Sequence, residues 1–83
     1  SADDVERHLA VHGGKDAEAR WFAAEAFARL ARFRRAHDVL WDDPRVATDP
    51  RTPRRYAALL LEHLGDGHVT RSRIGARTAV VRM

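Results

Sequence analysis

Apolar positions recur with helical spacing over the first two thirds of the chain and then change rhythm. Between Ala17 and Trp41, the residues Phe22, Ala26, Leu30, Phe33, His37 and Leu40 follow one another at intervals of three and four. That spacing draws a single stripe along a helix. Ala23, Phe27 and Trp41 widen the stripe, while Glu18, Glu25, Arg29, Arg32 and Arg35 fall on the other side. The stretch is rich in alanine and contains neither glycine nor proline. The pattern therefore predicts one long helix over residues 17–41, opened by Asp16 as its N-cap. Trp21 and Val39 lie off the stripe, close to the charged side, and would face solvent there unless the first helix or another subunit covered them.

Shorter elements flank this helix. Residues 3–12 read as a helix with Asp3 and Asp4 at the end where the helix dipole favours them, and Gly13-Gly14 stops it. The same segment could serve as an arm. After Trp41, Pro44 and Pro50 each push the preceding residue out of helical geometry, which leaves room for one helical turn around Arg45, Val46 and Ala47. Thr52 followed by Pro53 is a helix start signal. Tyr56, Leu59, Leu60, Leu61, His63 and Leu64 then form a wide apolar face that ends at Gly65. From His68 onward the period changes to two, with valine and threonine enriched, and Gly75 can take the positive φ that a tight turn needs. This predicts a C-terminal β-hairpin. The expected architecture is a single small domain over 1–83 of the α+β class: two to three helices, one of them long, followed by a hairpin and packed in a winged-helix-like way.

Composition narrows the function classes. Fourteen of the fifteen cationic side chains are arginines, against twelve acids, for a formal net charge of +3. Arginine's planar donor fork suits phosphates and carboxylates, so these side chains either grip an anion or pair with the chain's own acids. The chain has no cysteine, which excludes disulfides and thiolate metal sites. No apolar run reaches membrane-spanning length. These features point to a cytoplasmic protein with no membrane partner.

Little in the sequence carries catalytic chemistry. Ser72 is the one serine after the first residue and has no base beside it; Asp42, Asp43 and Asp49 stand next to prolines, where turn formation and helix termini account for them. Gly65-Asp66-Gly67 lacks the lysine and the spacing of a phosphate loop. His8 and His12 are spaced i,i+4, so both imidazoles fall on one helix face, but zinc needs further ligands and the sequence fixes none. His37, inside the apolar stripe, reads as a core histidine. The expectation is a non-enzymatic chain with no cofactor, no metal and no small-molecule substrate.

Two groups of arginines support a nucleic-acid interface. Arg54 and Arg55 stand beside Arg51 at the start of the leucine-rich helix, where unpaired N–H groups favour a phosphate. Arg71, Arg73 and Arg77 cluster near the hairpin tip, where they would track a nucleic-acid backbone. The run Leu-Leu-Glu-His-Leu-Gly-Asp-Gly-His-Val-Thr-Arg from Leu60, then a basic turn, then Arg-Thr-Ala-Val-Val-Arg-Met, resembles the recognition-helix end and wing of winged-helix regulators of the MarR type. The resemblance covers about a third of the chain. It implies that Arg54 and Arg55 lie near the groove and that Arg71, Arg73 and Arg77 form the wing. The leucine-heavy helix offers few polar side chains to read bases, so backbone gripping is the expected mode. The competing expectation is a protein–protein module: a docking or dimerisation domain, or a non-catalytic subunit. Its anchors would be Trp21, Val39 and Trp41, because tryptophan and arginine dominate interface hot spots.

Overall fold

The computed structural model describes residues 1–64, and over them the chain is helical: α1 (Ala2–His12), α2 (Ala17–Arg29), α3 (Phe33–Trp41), α4 (Pro44–Ala47) and α5 (Thr52–Leu64). No strand occurs among the described residues. The α+β, winged-helix-like architecture is thereby corrected to a helical one, and the hairpin expected over 68–83 lies outside the described residues. The chain falls into two units, Ser1–Thr52 and Pro53–Met83.

Local signals account for the helix starts. Ser1 and Asp4 form a reciprocal capping box at α1. Asp16 sits in extended geometry and accepts from the Glu18 amide at 2.9 Å, opening α2. Asp43 does the same for α4 through the Arg45 amide at 2.8 Å, with Pro44 in the first turn. Gly13 ends α1 in ordinary right-handed geometry, its N–H bonded to the Leu9 carbonyl. A Cβ at Gly13 would stand 2.7 Å from the Leu9 side chain and carbonyl, so close approach rather than positive φ requires glycine there.

The long helix predicted over 17–41 is two helices. Ala31 adopts a left-handed conformation with φ 63°, the Ala31 N–H bonds to the Ala28 carbonyl (2.9 Å), and the Arg32 N–H reaches back to the Phe27 carbonyl (2.8 Å). This pair of bonds is a Schellman termination. It normally recruits glycine, and an alanine in that position carries roughly 1–2 kcal/mol of Cβ strain. Ala31→Gly is therefore expected to stabilise the protein by roughly 0.5–1 kcal/mol, with the entropy glycine adds to the unfolded chain already subtracted. Thermal unfolding should move up by a few degrees, and an unchanged or lower midpoint would contradict the left-handed break.

Breaking the helix shifts the core onto a different face. In the first unit α2 packs on both α1 and α3, and α3 on α4. The buried side chains are Leu9, Ala19, Trp21, Ala23, Ala24, Phe27, Ala28, Ala36, Val39, Leu40 and Val46. Four of the alanines, Ala23, Ala24, Ala28 and Ala36, let α2 and α3 approach closely, with Phe27, Val39 and Leu40 filling the volume between them. Glu6 on α1 and Arg35 on α3 join in a two-pronged ion pair at 2.8 Å, and the Arg35 guanidinium also lies over the Phe27 ring, 5.6 Å from its centre. The Arg35 hydrogen bonds hold the Glu6 carboxyl below its ordinary range. His37, expected in the core, is exposed: it stacks flat on Trp41 at 4.6 Å and meets the Asp38 carboxylate at 3.1 Å.

Thr52, expected to cap the next helix, is its first helical residue, and its buried hydroxyl donates to the Val46 carbonyl at 2.6 Å. In the second unit the described part is the remainder of α5. Leu61 is exposed on it, and Tyr56, Leu59, Leu60 and Leu64 are half-buried.

Candidate functional site

Most arginines of the described residues are tied to the chain's own carboxylates. Arg7 pairs with Asp4, Arg29 with Glu25, Arg34 with Asp38, Arg35 with Glu6, Arg51 with Asp49, and Arg20 and Arg45 both with Asp43. Several of these pairs are surface pairs worth little to stability. Their chemical consequence is that charge which could have met phosphate is already neutralised.

The Asp43 cluster is different in kind. Asp43 is 6% exposed. Its carboxylate takes Arg45 Nη2 at 2.7 Å and Arg45 Nε at 3.1 Å, with Arg20 Nε also 3.1 Å away. Arg20 in turn donates to the carbonyls of Gly13 (3.1 Å) and Val39 (2.6 Å), and Arg45 Nη2 to the same Gly13 carbonyl (3.1 Å). One carboxylate and two guanidinium groups thus tie together the α1–α2 turn, the end of α3 and the start of α4. The Arg45 hydrogen bonds hold the Asp43 carboxyl below its ordinary value, outweighing the burial that pushes it up. The Arg20 bonds and most of the Arg45 bonds are made within the protein, to Asp43 and to the Gly13 and Val39 carbonyls, which gives the cluster a structural role.

The surface features that remain are apolar and aromatic. On α2, Phe22, Ala26 and Leu30 follow one another every fourth residue along one ridge. Phe22 is 58% exposed, Leu30 44% exposed, and Ala26 between them is half-buried. Glu25 and Arg29 flank the ridge and pair at 3.2 Å. At the start of α2 an open cleft of about 320 Å³ is lined by His8, His12, Asp16, Glu18, Ala19 and Phe22. The His8 ring lies 4.6 Å from that of His12 and 5.1 Å from that of Phe22.

The residues singled out from sequence are distributed as follows. Trp21 (7% exposed) and Val39 (0%) are buried, which corrects their assignment as partner anchors, because a core side chain is not available to a partner. Trp41 is half-buried against His37. Arg54 and Arg55 are exposed on the first turn of α5, and Arg54 forms no ion pair among the described residues. Arg71, Arg73 and Arg77 lie outside the described residues. The apolar ridge of Phe22 and Leu30 was read from sequence as core. The signal that would have exposed the error is the alanine-rich face of Ala19, Ala23, Ala24 and Ala28, which packs a helix at least as well as a phenylalanine stripe.

No helix of the described residues is long and apolar enough to cross a membrane. Comparison with protein-family models, curated proteins and solved structures finds no match for the chain.

Proposed function

We propose that this chain is a non-enzymatic helical interaction module whose α2 ridge pairs with the same ridge of a second copy. The observation that carries the reading is the inversion on α2: its alanines are buried, while Phe22 and Leu30 are presented to solvent. A ridge of two large ends around a small centre is self-complementary when two copies meet antiparallel. Phe22 of one copy then sits against Leu30 of the other, and the two Ala26 residues meet near the two-fold axis. The flanking charges support the same occupant, since antiparallel packing brings each Glu25 toward the other copy's Arg29.

The interface is small, so the expected dissociation constant lies in the range of roughly 1–100 μM. Ala26→Glu sets two like charges at the two-fold axis, and Leu30→Lys sets a charge against the other copy's Phe22; each is expected to weaken association at least about tenfold. Sedimentation equilibrium over a concentration series reads this directly. A parent chain that stays monomeric at about 100 μM, or variants that associate as tightly as the parent, would sink the proposal.

Nucleic-acid binding is the second reading. The exposed Arg54 on the first turn of α5 favours it. It ranks lower because Arg51 is already paired with Asp49 and the other arginines of the first unit are largely neutralised.

A further inference from the structure

We propose that His8 and His12 form a binding site for a divalent transition metal at the mouth of the cleft between α1 and the start of α2. This goes beyond the dimer reading and rests on different ligand side chains, Phe22 being the residue common to both. Two imidazoles that share one metal at about 2.1 Å, with tetrahedral or square angles, hold their ring centres roughly 4.5–5 Å apart. His8 and His12 stand at 4.6 Å with their planes inclined by 45°, so the spacing for a chelate exists without a change of backbone. The i,i+4 placement on a regular helix fixes that spacing, because both side chains leave the same face one turn apart.

Three further features favour a cation at this point. His12 lies in the last turn of α1, where the carbonyl end of the helix dipole favours positive charge, and His8 stands one turn before it. The Phe22 ring packs against the His8 imidazole at 5.1 Å, restricting its orientation. Asp16 and Glu18 line the same open cleft, which makes it acidic and leaves room for water to complete the coordination. With no cysteine in the chain, the two imidazoles and water supply the ligands, a set that suits copper(II), zinc and nickel(II) over softer ions.

The experiment uses the full chain without an affinity tag, titrated calorimetrically with zinc and, separately, with copper(II). One metal per chain is expected, and His8→Gln or His12→Gln should each weaken binding at least about tenfold, since loss of either ring converts a chelate into a single ligand. His12 is exposed and His8 is half-buried beside Phe22, so circular dichroism of each variant checks that the helix is kept. A second measurement needs no variant. Substoichiometric copper(II) should broaden the ring proton resonances of His8 and His12 before those of His37 and His63. Repeating the titration on Leu30→Lys separates this proposal from the dimer, because that residue is remote from the cleft along α2, and binding should persist in a monomer. No binding by the parent, binding unchanged in the double His8→Gln/His12→Gln chain, or broadening that begins at another histidine each overturns the site.

Discussion

Asp43→Ala is expected to lower the stability of the protein by about 4 kcal/mol, the largest effect foreseen for any polar residue of the chain. Two losses combine. The first turn of α4 loses its cap, a contribution of about 1 kcal/mol. The Arg20 guanidinium, which lies among α2, α3 and the Gly13 turn, also loses its counter-charge. Breaking a buried pair from one side usually costs 3–5 kcal/mol, and the lower end applies here because Arg45 is half open to water and can be rehydrated. Chemical denaturation should show the midpoint falling with an unchanged slope. A loss below about 1 kcal/mol would mean that the cluster contributes no more than a surface pair.

The same residue sets part of the acid sensitivity. The folded-state pKa of Asp43 is depressed, chiefly by its hydrogen bonds from Arg45. A group of this kind contributes its full stabilisation above the ordinary aspartate value of 3.8 and loses it as pH falls through the lower folded value. Glu6 acts in the same direction through Arg35. Stability should therefore be level from neutral pH down to about pH 5 and fall below it. Asp43→Asn keeps an acceptor for the Arg45 amide and does not titrate. It should begin less stable than the parent and lose less between about pH 5 and pH 3.

What could be read in advance divides along physical lines. Helix starts were legible because a capping side chain and a proline act within one turn: Asp16, Asp43-Pro44 and the Thr52-Pro53 junction each fall within a residue of where the structure begins a helix. The Gly13 stop was legible for the same reason. The break at Ala31 was not, because the residue holding the left-handed position is an alanine, which local preference assigns to helix interiors. That one miss produced the others. A stripe traced through 17–41 assumes a single phase, yet α2 and α3 present independent faces once the axis breaks. Phe22 and Leu30 were thus counted as core when they are surface, and Trp21 and Val39 as surface when they are core. Arg20 was illegible for another reason. Its position at the centre of the buried face of α2 makes sense only beside Asp43, twenty-three residues later, and such long-range pairing leaves no periodic trace.

Trp21→Ala is where the two accounts of this chain diverge most. Had Trp21 been a docking anchor, its removal would abolish association and leave the fold intact. As a side chain only 7% exposed on the face of α2 that carries Ala24 and Ala28, it is instead expected to cost about 3–5 kcal/mol through the cavity left behind. That consumes most of the stability, roughly 5 kcal/mol, available to a chain of this size, so the variant should melt tens of degrees lower or be largely unfolded at room temperature. The surrounding alanines cannot expand to fill the space, which places the cost toward the upper end. Leu30→Lys should show the opposite profile: association weakened, melting nearly unchanged, because the side chain is exposed and a lysine at the end of α2 complements the helix dipole. Measuring both properties on both variants tests core and interface together. A Trp21→Ala chain that melts like the parent and fails to associate would return Trp21 to the surface and, with it, the face assigned to the core of α2.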